Sequence, residues 1–231
     1  MRPRLPRSSS AAFTSTEIVV VILIAAVVLV LAWPALKDAL NKRQMTRTMN
    51  HTRELYLAAF HMATDGAASK HVNYKWPGDY TVGVATLADY SSKLVQNGYL
   101  KPDDLERILN APGANCAVKT SENTPVAVSL SGRSALKIYK IKSADPSTAI
   151  FAASTNYVYD TDLAPDAVPF GDKGFVIMRK GGDAGLYKKN QATTAGWANA
   201  AEFQTKIGRL PGASDGVVTA GDDGSVLTNP Q

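Results

Sequence analysis

From residue 18 to residue 33 the chain carries sixteen consecutive apolar residues. Counted from Phe13 the stretch reaches about 21 residues, enough at 1.5 Å per residue to cross a bilayer core about 30 Å thick. Its one charge is Glu17. Pro34 follows, and 35–40 resume a helical pattern at once, so the proline is read as a kink or loosened turn inside one long helix. Beyond it Met45, Met49, Thr52, Tyr56, Phe60 and Ala63 fall at steps of three or four and form one apolar stripe. Lys42, Arg43, Arg47 and Arg53 take the polar face. The pattern stops at 64–66, with Gly66 as the expected C-cap. A helix over 13–64 would be about 78 Å long.

The texture then changes. A turn at Trp76-Pro77-Gly78-Asp79 interrupts an irregular stretch, 71–84. Short helices are predicted over 87–97, 102–110 and 195–206. Short strands are predicted over 126–130, 136–141, 149–153, 175–178, 217–219 and 225–227, each bounded by Gly, Pro, Asp or Ser. Strands following helices indicate an α+β fold with an antiparallel sheet. The connection 156–172, with Pro165, Pro169 and Gly171, reads as a surface loop facing a partner.

The formal net charge is +5. Arg2, Arg4 and Arg7 sit in the first seven residues. Residues 13–54 hold five basic and three acidic side chains, which leaves 17 of each sign from residue 55 onward. A duplex-binding surface needs a basic face to neutralise phosphates. The body is neutral, so no nucleic-acid partner is expected. The basic surplus instead flanks the apolar run, where anionic lipid would sit.

Catalytic chemistry finds little footing. The three histidines, His51, His61 and His71, show no metal-ligand spacing, and His51 and His61 lie about 280° apart on a helix. The glycine-rich stretch 181–185 lacks a phosphate-loop lysine and reads as a hairpin turn. One cysteine, Cys116, rules out an intrachain disulfide and a cysteine-rich zinc site. No enzyme is expected, and no cofactor. Asp160, Asp162 and Asp166 share one loop, and Asp222 and Asp223 are adjacent. Calcium takes six to eight oxygens from acidic loops of this kind.

Membrane insertion survives Glu17. Residues 18–31 contain twelve Val, Ile or Leu residues, which favour insertion by about 4–7 kcal/mol. An acidic residue costs about 3 kcal/mol at the membrane centre and less near an end. An intramembrane carboxylate nevertheless calls for a partner, which an isolated anchor would not offer.

A basic leader ending in Ala12, then Phe13-Thr14-Ser15-Thr16-Glu17, then a long apolar helix resembles the N-terminus of type IV prepilins and type II secretion pseudopilins. The match covers roughly residues 7–60. It departs from the family in Ala12, where glycine is usual, and in Ser15-Thr16, where Leu-Ile is usual. The resemblance implies cleavage between Ala12 and Phe13 by a prepilin peptidase and N-methylation of Phe13. It implies that Glu17 pairs with the N-terminal amine of a neighbouring subunit, and that Pro34 marks a helix kink. It implies a leader (1–12), a transmembrane and filament-core helix (13–34), an amphipathic continuation (35–65) and a globular periplasmic head (66–231), with the long helix packed on an antiparallel sheet. The protein would be a structural subunit of a pseudopilus or pilus-like filament. Its partners would be other pilin subunits and the inner-membrane assembly platform. Some pseudopilins hold calcium in a C-terminal acidic loop, which makes Asp222 and Asp223 candidate ligands. Two other readings stay open: a secretory signal cleaved after residues 30–32, and a plain membrane anchor for a periplasmic binding domain that never polymerises.

Overall fold

A computed structural model describes residues 14–121, 125–222 and 224–230. The chain forms two compact units, Met1–Leu40 and Asn41–Gln231. Helix α1 (Ser15–Ser69) starts in the first unit and ends in the second, with Pro34 inside it. Pro34 has no N–H for the carbonyl of Val30, yet one lost bond in a 55-residue ladder does not stop the helix. In the first unit the large apolar side chains from Ile18 to Leu31, and Trp33, Leu36 and Leu40, are all exposed. This helix is long and apolar enough to cross a membrane.

The second unit is an α+β fold in which the later part of α1 packs on antiparallel sheet. Helices α2 (Leu87–Gln96) and α3 (Pro102–Leu109) precede a two-stranded ladder, β1 (Ala117–Thr120) with β2 (Val128–Ser131). Four strands follow in consecutive antiparallel order: β3 (Leu136–Ile138), β4 (Ile150–Ser154), β5 (Phe175–Arg179) and β6 (Ala184–Tyr187). Helix α4 is Ala200–Lys206. Every residue of β4 is buried, because the sheet is covered on both faces and its centre therefore reads as an unbroken apolar run. Phe151 meets Tyr56 of α1 and Trp76, with ring centroids 5.7 and 5.9 Å away. Its neighbour Ile150 faces the other way, toward Gly208 beyond α4.

The local chemistry explains most element ends. Thr86 and Asp89 form a reciprocal capping box at α2. Pro102 takes the first turn of α3, where its missing N–H costs nothing. Asn199 caps α4 by accepting from Glu202 N, so that helix begins at residue 200 and not 195. The Gly181-Gly182 turn joins β5 to β6, as expected from its glycines.

Several expectations need correction. The buried face of α1 takes in Met45, Thr52, Tyr56 and Ala63 of the predicted stripe, and beside them Thr48, His51, Leu55, Ala58, Ala59, Met62 and Gly66. It is rotated by about 70° from the predicted stripe, taking 100° per residue. Phe60 is 42% exposed, although its ring stacks on Tyr56. Gly66 is not a C-cap. The helix continues to Ser69, and the left-handed residue is Lys70, at φ 53°. A Cβ on Gly66 would lie 1.8 Å from the Tyr74 carbonyl oxygen, so the glycine serves a close backbone approach. Residues 217–219 form no strand, and 225–227 contribute only one isolated bridge, Val226 with Tyr139. Neither segment finds a ladder partner. Loop 156–172 is anchored by buried Asn156, Tyr157, Tyr159, Leu163 and Phe170. It is therefore only partly a surface loop.

Candidate functional site

The family-like segment begins at the edge of the described residues. Ala12 and Phe13 lie outside them. Thr14 immediately precedes α1, and its side chain accepts from Glu17 N at 3.3 Å. Glu17 returns the contact: its Oε2 accepts from Thr14 N at 3.0 Å and from the Thr14 hydroxyl at 2.9 Å. This is a capping box, Thr-x-x-Glu, which satisfies orphan donors of the first turn. Its spacing is visible in the sequence, where the segment reads as a processing and assembly motif. Glu17 is exposed, and it opens the unburied apolar stretch. A carboxylate at a helix N-terminus is also favoured by the dipole.

The acidic candidates behave differently from one another. Asp223 lies outside the described residues. Asp222 Oδ2 lies 2.5 Å from the Lys137 ammonium, and Oδ1 accepts from the Tyr139 hydroxyl at 2.7 Å and from Tyr159 N at 3.2 Å. Lys137 also donates to the Tyr157 carbonyl and lies 5.6 Å from the Tyr139 ring centroid. The side chains of Lys137 and Asp222 are 5% and 23% exposed. Burial lowers the basicity of Lys137 against the opposing pull of Asp222. It also pushes the Tyr139 and Tyr157 phenols up. This arrangement does not fit calcium, since an ammonium group occupies the space in front of the carboxylate. Asp160 accepts from Thr194 N at 2.6 Å, while Asp162 and Asp166 are exposed. Among the described residues no three His, Cys, Asp or Glu side chains cluster as a metal site.

His51 was not expected in the core, yet it is buried and its Nδ1 has no partner. It lines a groove with Arg47, Thr48, Arg107 and Asn110. Arg107 is already engaged by Glu54 at 2.7 Å and Asp104 at 3.1 Å. Burial and the Arg107 charge hold the His51 imidazole below its ordinary value.

Comparison of the chain with protein-family models, with curated proteins and with solved structures finds no match in any of the three.

Proposed function

We propose that the chain is a pilin-like structural subunit, inserted in the bacterial inner membrane and assembled through α1 into a type II secretion pseudopilus or pilus-like filament. The reading rests on the sequence resemblance. The observation that carries it is an acidic residue, Glu17, in the first turn of a helix whose next dozen large apolar residues are all exposed. A bilayer alone would cover the apolar surface, but it offers the carboxylate no partner. Neighbouring subunits would cover the one and pair with the other. A buried pair of this kind also sets register between chains. In this reading a prepilin peptidase cuts before Phe13, and the new amine, once methylated, meets Glu17 of a neighbour. The head then faces the periplasm.

The test is N-terminal sequencing and intact mass spectrometry of the membrane-extracted protein. The expected result is a chain starting at Phe13 with a methylated amine. A start near Trp33, or an intact Met1, would overturn the reading. In cells, Glu17→Ala is expected to insert in the membrane normally and to be lost from filaments. Incorporation at the wild-type level would overturn pairing through Glu17 as the means of assembly, whereas absence of the wild-type chain from filaments would leave the anchored, non-polymerising domain as the better account.

A further inference from the structure

The Lys137–Asp222 contact joins β3 to a segment near the end of the chain, across 85 positions of sequence. That segment also adheres through backbone bonds, Lys140 N to Ser225 O at 2.6 Å, Leu227 N to Ile138 O at 2.9 Å and Thr228 N to Ala85 O at 3.1 Å, and through the fully buried Leu227 side chain. It forms no strand of its own, and a disulfide is impossible with one cysteine. The Lys137 amine and the Asp222 carboxyl sit in contact, and tyrosines 139, 157 and 159 supply the groups around them.

We propose that Lys137 Nζ and Asp222 Cγ become joined by a self-catalysed amide bond, a covalent staple holding the C-terminal segment against β3. The geometry supplies the parts such a condensation needs. The reacting groups are in contact, so their approach carries no further entropic cost. Oδ2 faces the amine, while Oδ1 is held by two donors, the Tyr139 hydroxyl and Tyr159 N–H. Those donors stand where negative charge develops when Cγ becomes tetrahedral, as in an oxyanion hole. The site is dry on the lysine side, which favours a neutral amine over an ammonium ion.

The steps balance without a co-reactant. A proton passes from Nζ to Oδ2, giving an amine and a carboxylic acid. The amine attacks Cγ, and the carbonyl electron pair moves onto Oδ1. A second proton passes from Nζ to Oδ2, the Cγ–Oδ2 bond breaks and water leaves. The double bond to Oδ1 re-forms. Of the three ammonium protons, one stays on the amide nitrogen and two depart with the water. The partial exposure of Asp222 leaves the water an exit.

The experiment uses the full chain, extracted from membranes, denatured and digested with trypsin for mass spectrometry. Acylation blocks cleavage after Lys137. The expected product is therefore a branched species, 134–140 joined to 210–231, one water lighter than its two parts. Fragment ions should place the link on Asp222. Lys137→Arg and Asp222→Ala are each expected to abolish it, and Tyr139→Phe to reduce the linked fraction several-fold. If most wild-type molecules instead yield separate 134–137 and 210–231 peptides of full mass, the contact is an ion pair only and the proposal is overturned. The wild-type reading needs no variant to fold, and it is independent of filament assembly.

Discussion

Replacing Gly66 by alanine tests how the end of α1 is built. In an exposed helix interior the change would stabilise by about 1 kcal/mol, because alanine is the better helix former. Here the new methyl would lie 1.8 Å from the Tyr74 carbonyl oxygen and 2.7 Å from the Tyr74 Cβ. A backbone oxygen cannot rotate aside, so α1 or the segment around Tyr74 must move. Overpacking of this kind costs about 1–3 kcal/mol, and a clash with backbone belongs at the top of that range. After the helical gain, a net loss of about 2 kcal/mol remains, which lowers the Tm of a chain this size by about 4–8 °C. Lys70→Gly is the companion. Lys70 holds φ 53°, a left-handed conformation that costs an L-residue about 1–2 kcal/mol. Glycine there is expected to raise the Tm by a few degrees. Thermal unfolding of the full chain in detergent, followed by circular dichroism, reads both. An unchanged or raised Tm for Gly66→Ala would refute the close approach. Tolerance of asparagine at 66, with no gain from Lys70→Gly, would return the helix end to Gly66.

Other perturbations probe the core and its ionisable groups. Leu55→Ala empties a fully buried site and should cost about 2–5 kcal/mol, while Leu57→Ala, on the exposed face, should cost less than about 0.5 kcal/mol; urea unfolding separates them. His51 has a folded-state pKa below its unfolded value of about 6.5. Its contribution is therefore intact above about pH 6.5 and lost as pH falls, because the unfolded chain takes up a proton that the folded chain resists. The stability lost between about pH 7 and 5.5 should shrink in His51→Leu, with Arg47, Glu54 and Arg107 left in place; an unchanged slope would exclude His51 as its source. Cys116 is buried, and burial with the nearby Glu106 charge pushes its thiol up to about 11. It should resist alkylation at about pH 8 until urea unfolds the chain, and rapid labelling of the native protein would contradict its placement.

The long helix was legible because its apolar run and its later three-and-four spacing both reach beyond any local ambiguity. Its rotation was not legible. The predicted stripe runs through the bulky Met49 and Phe60, whereas the buried face also takes in Thr48, Ala59 and Gly66. Small residues let the helix approach its neighbours closely, and a pattern weighted by hydrophobic bulk passes over them. β4 and β5 announced themselves as unbroken apolar runs. β1, Ala-Val-Lys-Thr, and β6, Ala-Gly-Leu-Tyr, carry no such mark. They exist because β2 and β5 offer them partners, and the valines at 217–218 fail as a strand for want of one. The Lys137–Asp222 contact could not be read at all, since no local pattern links residues 85 apart.

Glu17 combines a legible motif with an unread one, and the two roles fit on a single carboxylate. Both bonds from Thr14 fall on Oε2. Among the described residues nothing donates to Oε1. The cap therefore orients the side chain along the first turn and leaves an oxygen for a second donor. In the filament reading that donor is a neighbour's N-terminal amine, which can bind without breaking the cap. The cap then acts before assembly by holding the carboxylate in one rotamer, which lowers the entropy lost on pairing. It follows that Thr14→Val should weaken incorporation into filaments, while Glu17→Gln should abolish it. Glutamine can still accept from Thr14 N but no longer offers a charge to an amine. If the two variants assembled equally well, the capping box would be the residue's whole role, and the pairing would have no support left at this position.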